Sequence, residues 1–250
     1  MAKTVATFVD GGYRFIEGVS QYSGGVAALP GYEIVRARFA SPLPLAEGFA
    51  AAGAHLQSVD RPPVALCACE LRSPEPFSEE GFVAFNQQYI EILDRWGIVR
   101  DGVNPVARTN VCPELDVPSE PVLYAFSYAV RTGTDRPSFV ISGSGEAREG
   151  GLEYRDSIVR YGDVSPEAMA EKVAFVFEEM SSRLDALGFG WADVESTQVY
   201  TMHDTGSLVW KEMARQPGAT GPIEWHLSRP PVEAIEYEMD LRRPARWELI

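Results

Sequence analysis

The chain is short of several things that would place it quickly. It has three cysteines in 250 residues, too few for a disulfide framework. It has no run of about 18 apolar residues, so no segment reads as a membrane span. Its first residues, Met1-Ala-Lys-Thr-Val5, lack the apolar stretch and small-residue cleavage site of a signal peptide. The expected compartment is therefore the cytoplasm. Lys and Arg total 22 against 36 Asp and Glu, a formal charge of −14, and the basic residues form no block. A surface this negative repels phosphate backbones, so neither nucleic acid nor an anionic membrane is an expected partner. A small anion remains possible if a few arginines converge in one pocket.

Chemical motifs are also few. There is no GxxxxGK[ST] run, and Ser142-Gly143-Ser144-Gly145 lacks the third glycine and the following helix of a dinucleotide fingerprint. The histidines, His55, His203 and His226, form no HExxH or paired spacing, and Cys67-Ala-Cys69 lies in an apolar strand where core packing is the ordinary role. On alternation alone, those two cysteines share one face. No metal and no cofactor is expected.

What the sequence does have is a folded protein's composition, 45% hydrophobic and 11% aromatic, arranged in a pattern that reads twice. Strands are expected at 13–20, 33–40, 63–71, 107–111 and 121–131, with helices at 45–57 and 78–96. In the second of these helices Phe82, Phe85, Tyr89, Ile92, Leu93 and Trp96 recur at helical spacing, between a Ser78 cap and a Gly97 stop. The second half gives strands at 138–147, 155–161, 195–203, 222–228 and 234–241, and helices at 166–187 and 207–215. Ser165 caps the long helix, Pro166 occupies its first position and Gly188 ends it. Each half is an α+β unit with helices packed on one sheet face. The turn-rich Thr132 to Pro137 separates them, giving units at 1–132 and 138–250.

Three residues or groups stand out, each against a plainer reading. Cys112, next to Pro113 and near Arg108, is a candidate nucleophile if a distant histidine pairs with it, and otherwise a packed thiol. His203 ends a strand, where it could carry a proton; Asp204 beside it is also an ordinary helix cap. In the last strand Glu236, Glu238 and Asp240 alternate onto one face, and Ile235, Tyr237, Met239 and Leu241 onto the other. That pattern reads as one wet and one buried face unless a carboxylate reaches a cleft.

Several segments resemble the RidA/YjgF superfamily, whose members share a chorismate-mutase-like fold. Phe139-Val-Ile-Ser-Gly143 is similar to the family's strand ending in Ser-Gly, and Tyr161-Gly-Asp163 to its helix entry. Leu184-Asp-Ala-Leu-Gly-Phe-Gly-Trp-Ala-Asp-Val194 resembles its helix exit, Val199-Tyr-Thr-Met-His-Asp204 its next strand, and Ala234-Ile-Glu-Tyr-Glu-Met-Asp240 its closing strand. In the first half Val106-Ala-Arg-Thr-Asn-Val111 resembles the segment before that closing strand.

The resemblance implies a tandem of two such units and a homotrimer with sites at the interfaces between sheets. It also implies hydrolytic deamination of a small anionic enamine or imine. An arginine then grips the substrate carboxylate and a glutamate activates water. Arg108 falls on the arginine position in the first half only, and Glu236 on the glutamate position in the second half only. The complementary segments read Gly221-Pro-Ile-Glu-Trp225 and Val122-Leu-Tyr-Ala-Phe126, without those residues. Either one composite site between the halves keeps each residue once, or both sites have decayed or serve different chemistry. The composite site is the expectation, with Arg108 as clamp, Glu236 positioning water, His203 delivering a proton, and Ser142, Gly143 and Cys112 contacting substrate. An unsaturated amino diacid of the 2-aminomuconate type suits it. The competing expectations are a chorismatase-like enzyme cleaving an enolpyruvyl ether and a non-catalytic ligand-binding trimer.

Overall fold

The computed structural model describes residues 3–134, 136–148 and 154–250. In chain order the strands are β1 (Val5–Phe8), β2 (Tyr13–Ile16), β3 (Gly25–Ala28), β4 (Tyr32–Pro44), β5 (Leu66–Arg72), β6 (Ala107–Pro113), β7 (Val122–Arg131), β8 (Phe139–Gly145), β9 (Ser196–Thr201), β10 (Ile223–His226), β11 (Ser228–Arg229), β12 (Tyr237–Arg243) and β13 (Arg246–Leu249). The helices are α1 (Leu45–Ser58), α2 (Glu79–Arg95), α3 (Tyr154–Ser157), α4 (Pro166–Ala186) and α5 (Gly206–Met213).

The two expected caps are made: the Ser78 hydroxyl accepts from the Gly81 amide and the Ser165 hydroxyl from Ala168. The strand expected at 155–161 is instead the short helix α3 followed by turns, and only Ile158 pairs, with Ala147. β1, β3 and β13 were not anticipated.

The repeat is visible in the sheets. One sheet contains the order β6-β5-β7-β4 and the other β10-β9-β12-β8. In each, the last-formed strand inserts antiparallel between the first two, and the remaining strand runs parallel at the end. Two α+β units thus stand in tandem. The halves also exchange strands. β1–β3 extend the second unit's sheet through β3 on β8, while β11 and β13 join the first unit's sheet at β6 and β4. Each chain half therefore supplies strands to the other's sheet.

Each unit buries an apolar core between sheet and helices. Phe49, Phe85, Tyr89, Leu93 and Phe126 form the first, and Val173, Phe177, Met180, Leu184, Met239 and Leu241 the second. A register shift between Leu66 and Ala68 puts Cys67 and Cys69 into different apolar clusters, so the pair does not share a face as alternation suggested.

The opposite sheet faces meet each other rather than water, and their meeting plane is charged. Arg36 Nε and Nη2 donate to Glu70 at 2.5 and 2.7 Å, and Arg242 Nη1 reaches Glu70 at 2.8 Å. Arg242 also grips Asp240 with two nitrogens at 2.6 and 2.7 Å. The Tyr200 and Thr109 hydroxyls each donate to the same Asp240 oxygen at 2.9 Å. The face of β12 expected to be wet is thus buried: Glu238 is 5% and Asp240 0% exposed. The flanking guanidiniums Arg242 and Arg36 hold the Glu70 carboxyl well below the usual carboxylate range, outweighing its burial.

Candidate active site

One cavity, of about 190 Å³, opens where β6 of the first unit meets β8 and β12 of the second. Arg108 reaches it from β6, Gly143 and Ser144 from β8, and Glu238 from β12, while Arg183 of α4 approaches from the second unit's helix layer. The wall is thus shared between the two halves.

Arg108 is 4% exposed and its guanidinium sits among aromatic rings, 4.8 Å from the centroid of Tyr22, 5.0 Å from Tyr89 and 5.5 Å from Phe82. Nη1 donates to Asn86 Oδ1 at 2.6 Å. Among the described residues no carboxylate lies within ion-pair distance of it. Burial lowers its pKa from the ordinary value, but arginine stays charged at neutral pH. A buried guanidinium with unspent donors is a carboxylate receptor. Asn110, two residues further along β6 and so on the same face, presents a buried amide nitrogen with no partner among the described residues, while its oxygen accepts from Ser73.

Glu238 faces the same space. Burial, with Asp240 and Glu146 adding like charge, pushes its pKa up to about 8, against the pull of Arg108 and Arg72. It is therefore mainly protonated at pH 7 and offers an acidic O–H to the cavity. Gly143 makes room for it: a Cβ there would lie 2.2 Å from Glu238 Oε1. The glycine of the Ser-Gly segment thus seats the acid.

Below the site, Glu146 anchors the entry to β12. It accepts from the amides of Glu236 at 2.7 Å and Tyr237 at 3.0 Å, and from Lys172 Nζ at 3.1 Å, with both charged side chains fully buried. Burial raises the Glu146 pKa. Arg183, 1% exposed, donates to the carbonyl of Ser142 at 3.1 Å and to Glu179 at 2.7 Å, tying α4 to β8. Arg148 stands exposed at the rim.

The sequence-derived residues separate into two groups. Arg108 and Gly143 line the cavity. Ser142 is fully buried beside it with its hydroxyl spent: it donates to the Ser23 carbonyl at 2.6 Å and accepts from the Arg108 amide at 3.1 Å, clipping β6 to β8. Cys112 is 3% exposed near the end of β6, and burial and the nearby Glu238 push its thiol up to about 12, so it is no thiolate. Glu236 precedes β12 rather than lying in it. Its Oε2 is 2.8 Å from His203 Nε2, in a pair about a quarter exposed, outside the cavity's described lining. The carboxylate that reaches the cavity is Glu238.

Asn110 was legible only as a strand neighbour of Arg108, and Glu238 as one of three alternating carboxylates of the last strand, any of which could reach a cleft. Arg183 had one signal, a charge set beside the apolar stripe of its helix. Among the described residues no group of three His, Cys, Asp or Glu is arranged to hold a metal ion.

A family model described as 2-aminomuconate deaminase CnbZ matches residues 5–247. The sequence is 54% identical to the 2-amino-5-chloromuconate deaminase of Comamonas testosteroni over 241 residues, 96% of each chain. Among solved structures, a chorismatase matches with a TM-score of 0.51 at 13% identity, over 90% of this chain and 78% of its own, a likeness of fold alone. The YjgF gene product of E. coli matches over 44% of this chain and 81% of its own, with a TM-score of 0.33 at 13% identity.

Proposed function

The chain belongs to the CnbZ family of 2-aminomuconate deaminases, and from that premise we propose that it hydrolyses a 2-aminomuconate-type dicarboxylic enamine to the 2-oxo acid and ammonia in the cavity between Arg108 and Glu238. The observation that carries this reading is the pairing, in one small cavity, of a buried guanidinium free of carboxylate partners with a carboxyl group kept protonated near neutral pH.

The chemistry follows from those two groups. Arg108 and the Asn110 amide hold the carboxylate next to the amino-bearing carbon. Glu238 donates its proton to the enamine carbon, and the nitrogen lone pair moves in to give an iminium. Water adds to the iminium carbon, and one of its protons passes to nitrogen through the returned carboxylate. The carbinolamine then expels ammonia as the C=O bond forms and Glu238 regains its proton. The net change is enamine plus water to ketone plus ammonia. A carboxylic acid with a pKa near working pH suits this exchange of roles. Arg148 at the rim is placed for the distal carboxylate of a diacid.

Two results test the assignment. Arg108→Ala is expected to raise KM by roughly 10–100-fold, through loss of a buried, charge-assisted carboxylate contact. Steady-state ammonia release at saturating and sub-saturating substrate separates that from a change in kcat. Glu236→Gln is expected to leave turnover near that of the wild type and to cost under about 1 kcal/mol in thermal unfolding, since it breaks only a partly exposed pair with His203. A large loss of turnover in Glu236→Gln with Glu238→Gln unimpaired would move the acid back to Glu236.

The same reading includes a homotrimer, resting on the RidA/YjgF resemblance, and a cytoplasmic setting, resting on three buried free cysteines. Among the described residues no helix is long and apolar enough to cross a membrane.

A further inference from the structure

The repeat of strand order gives the Arg108 cavity a counterpart. The Arg108 cavity lies where β6 of one unit meets β8 and β12 of the other. The corresponding strands with the units interchanged are β10, β4 and β7. A cavity of about 560 Å³ opens there, lined by Trp225 and His226 of β10, Arg38 of β4 and Tyr124 of β7, together with Arg72 of β5 and Asp116 of a loop.

Its chemistry is cationic and aromatic. The Arg72 guanidinium, 8% exposed, lies 4.3 Å from the Tyr124 ring centroid, and Nη1 donates to the Leu71 carbonyl at 2.8 Å. Arg38 lies 5.8 Å from the same ring. Among the described residues no carboxylate pairs with either guanidinium at ion-pair distance, whereas Arg36 and Arg242 nearby are both fully paired. Asp116 is exposed on its loop. His226 stacks on Tyr200 at 4.8 Å and shares a hydrogen bond of 2.6 Å with Gln198; burial and Arg72 lower its pKa, so it adds no positive charge at neutral pH. Two guanidiniums without a carboxylate partner among the described residues, in a chain of net charge −14, mark a place built to receive an anion. Tyr124 and Trp225 add flat apolar walls for a conjugated plane. Where β12 brings Glu238 to the first cavity, β7 brings Tyr124, so among the described residues this one is lined by no buried acid of that kind.

We propose that the Arg38–Arg72 cavity is a second, non-hydrolytic binding site for small planar carboxylates. Only the choice of a muconate-shaped ligand rests on the deaminase reading. Isothermal titration of the whole protein with cis,cis-muconate, a diacid without the amino group and hence not turned over, is expected to show two equivalents per chain. Arg38→Gln is expected to remove one and leave kcat for ammonia release unchanged; Arg108→Gln is expected to remove the other.

A single equivalent in the wild type, untouched by Arg38→Gln and lost in Arg108→Gln, overturns the second site and leaves the deaminase reading standing. Two equivalents of which Arg38→Gln removes one, with turnover and the other equivalent intact in Arg108→Gln, sustain the second site and sink the Arg108 assignment. Displacement of the Arg38-dependent equivalent by sulfate as readily as by muconate overturns the planar-carboxylate class.

Discussion

Glu238→Gln is expected to lower the rate of ammonia release by about 10²–10⁴-fold, the range that a positioned proton donor contributes. The amide preserves the volume against Gly143 and the polar face toward the cavity, but it has no acidic proton to give and cannot accept one from attacking water. KM is expected to change little, because Arg108 carries the substrate's charge. The wild-type rate should fall as pH rises through about 8, where Glu238 ionises. That limb of the profile should vanish from the variant's residual rate. A variant within a few-fold of the wild type, or a wild-type rate still rising above pH 9, would remove Glu238 from the proton path.

The same substitution is expected to stabilise the fold at neutral pH. The folded-state pKa of Glu238, about 8, stands above its unfolded value of 4.5. Between those values the folded chain binds more protons than the unfolded chain, so wild-type stability declines as pH rises. Glutamine removes that decline. Cavity relaxation reduces the effect below its linkage limit, so the gain is about 2 kcal/mol at pH 7.5 and nothing at pH 4, read from urea unfolding at both. Loss of activity with gain of stability is the signature of a strained catalytic acid.

Arg242→Met is expected to destabilise the protein by about 3–5 kcal/mol, the range for breaking a buried ion pair from one side. Arg242 is 3% exposed and joins Asp240 of its own strand to Glu70 of the other sheet. Methionine preserves most of the stem's packing but leaves Glu70 to Arg36 and leaves the buried Asp240 with only the Tyr200 and Thr109 hydroxyls. Arg242→Lys keeps the charge and loses the two-nitrogen grip on Asp240, so it should recover only part of the loss. The network also sets an acid limb. The Glu70 pKa lies below its unfolded value, so its contribution is present above about pH 4.5 and is lost as pH falls below that. Equilibrium unfolding of both variants at pH 7 decides the matter; a loss under about 1 kcal/mol for Arg242→Met would mean that the inter-sheet plane tolerates uncompensated charge.

The two predictions turn on two carboxylates of β12, Glu238 and the Asp240 that Arg242 grips, and sequence alone treated them alike. Glu236, Glu238 and Asp240 alternate onto one face, and nothing in that alternation distinguishes an acid on a surface histidine, an acid in a cavity and an acid locked to an arginine. The strand's start decides it. Ala234 adopts a φ of 67°, and the buried Glu146 takes the amides of Glu236 and Tyr237, so regular pairing begins at Tyr237. Glu236 is thereby left to His203. The resemblance pointed to Glu236 in the closing strand, whereas the described lining of the cavity holds Glu238, because a two-residue step preserves the face but moves along the strand by about 7 Å.

Local chemistry was readable wherever it is local. The Ser78 and Ser165 caps, the helix stops, the apolar stripes of α2 and α4 and the doubled element order are all written within a few residues of where they act. The exchange of β1–β3 and β13 between sheets, the burial of the charged face of β12 and the closing of one cavity across both halves depend on contacts such as Thr109 to Asp240 and Ser142 to Arg108, 131 and 34 residues apart in the chain. Periodicity reports which face of a strand is apolar. It does not report whether the polar face meets water or another polar face, since the residue types are the same in both cases. The acidic composition was thus legible from the first count, while the fate of individual carboxylates, solvated or buried against arginine, was decided only when the two sheets met.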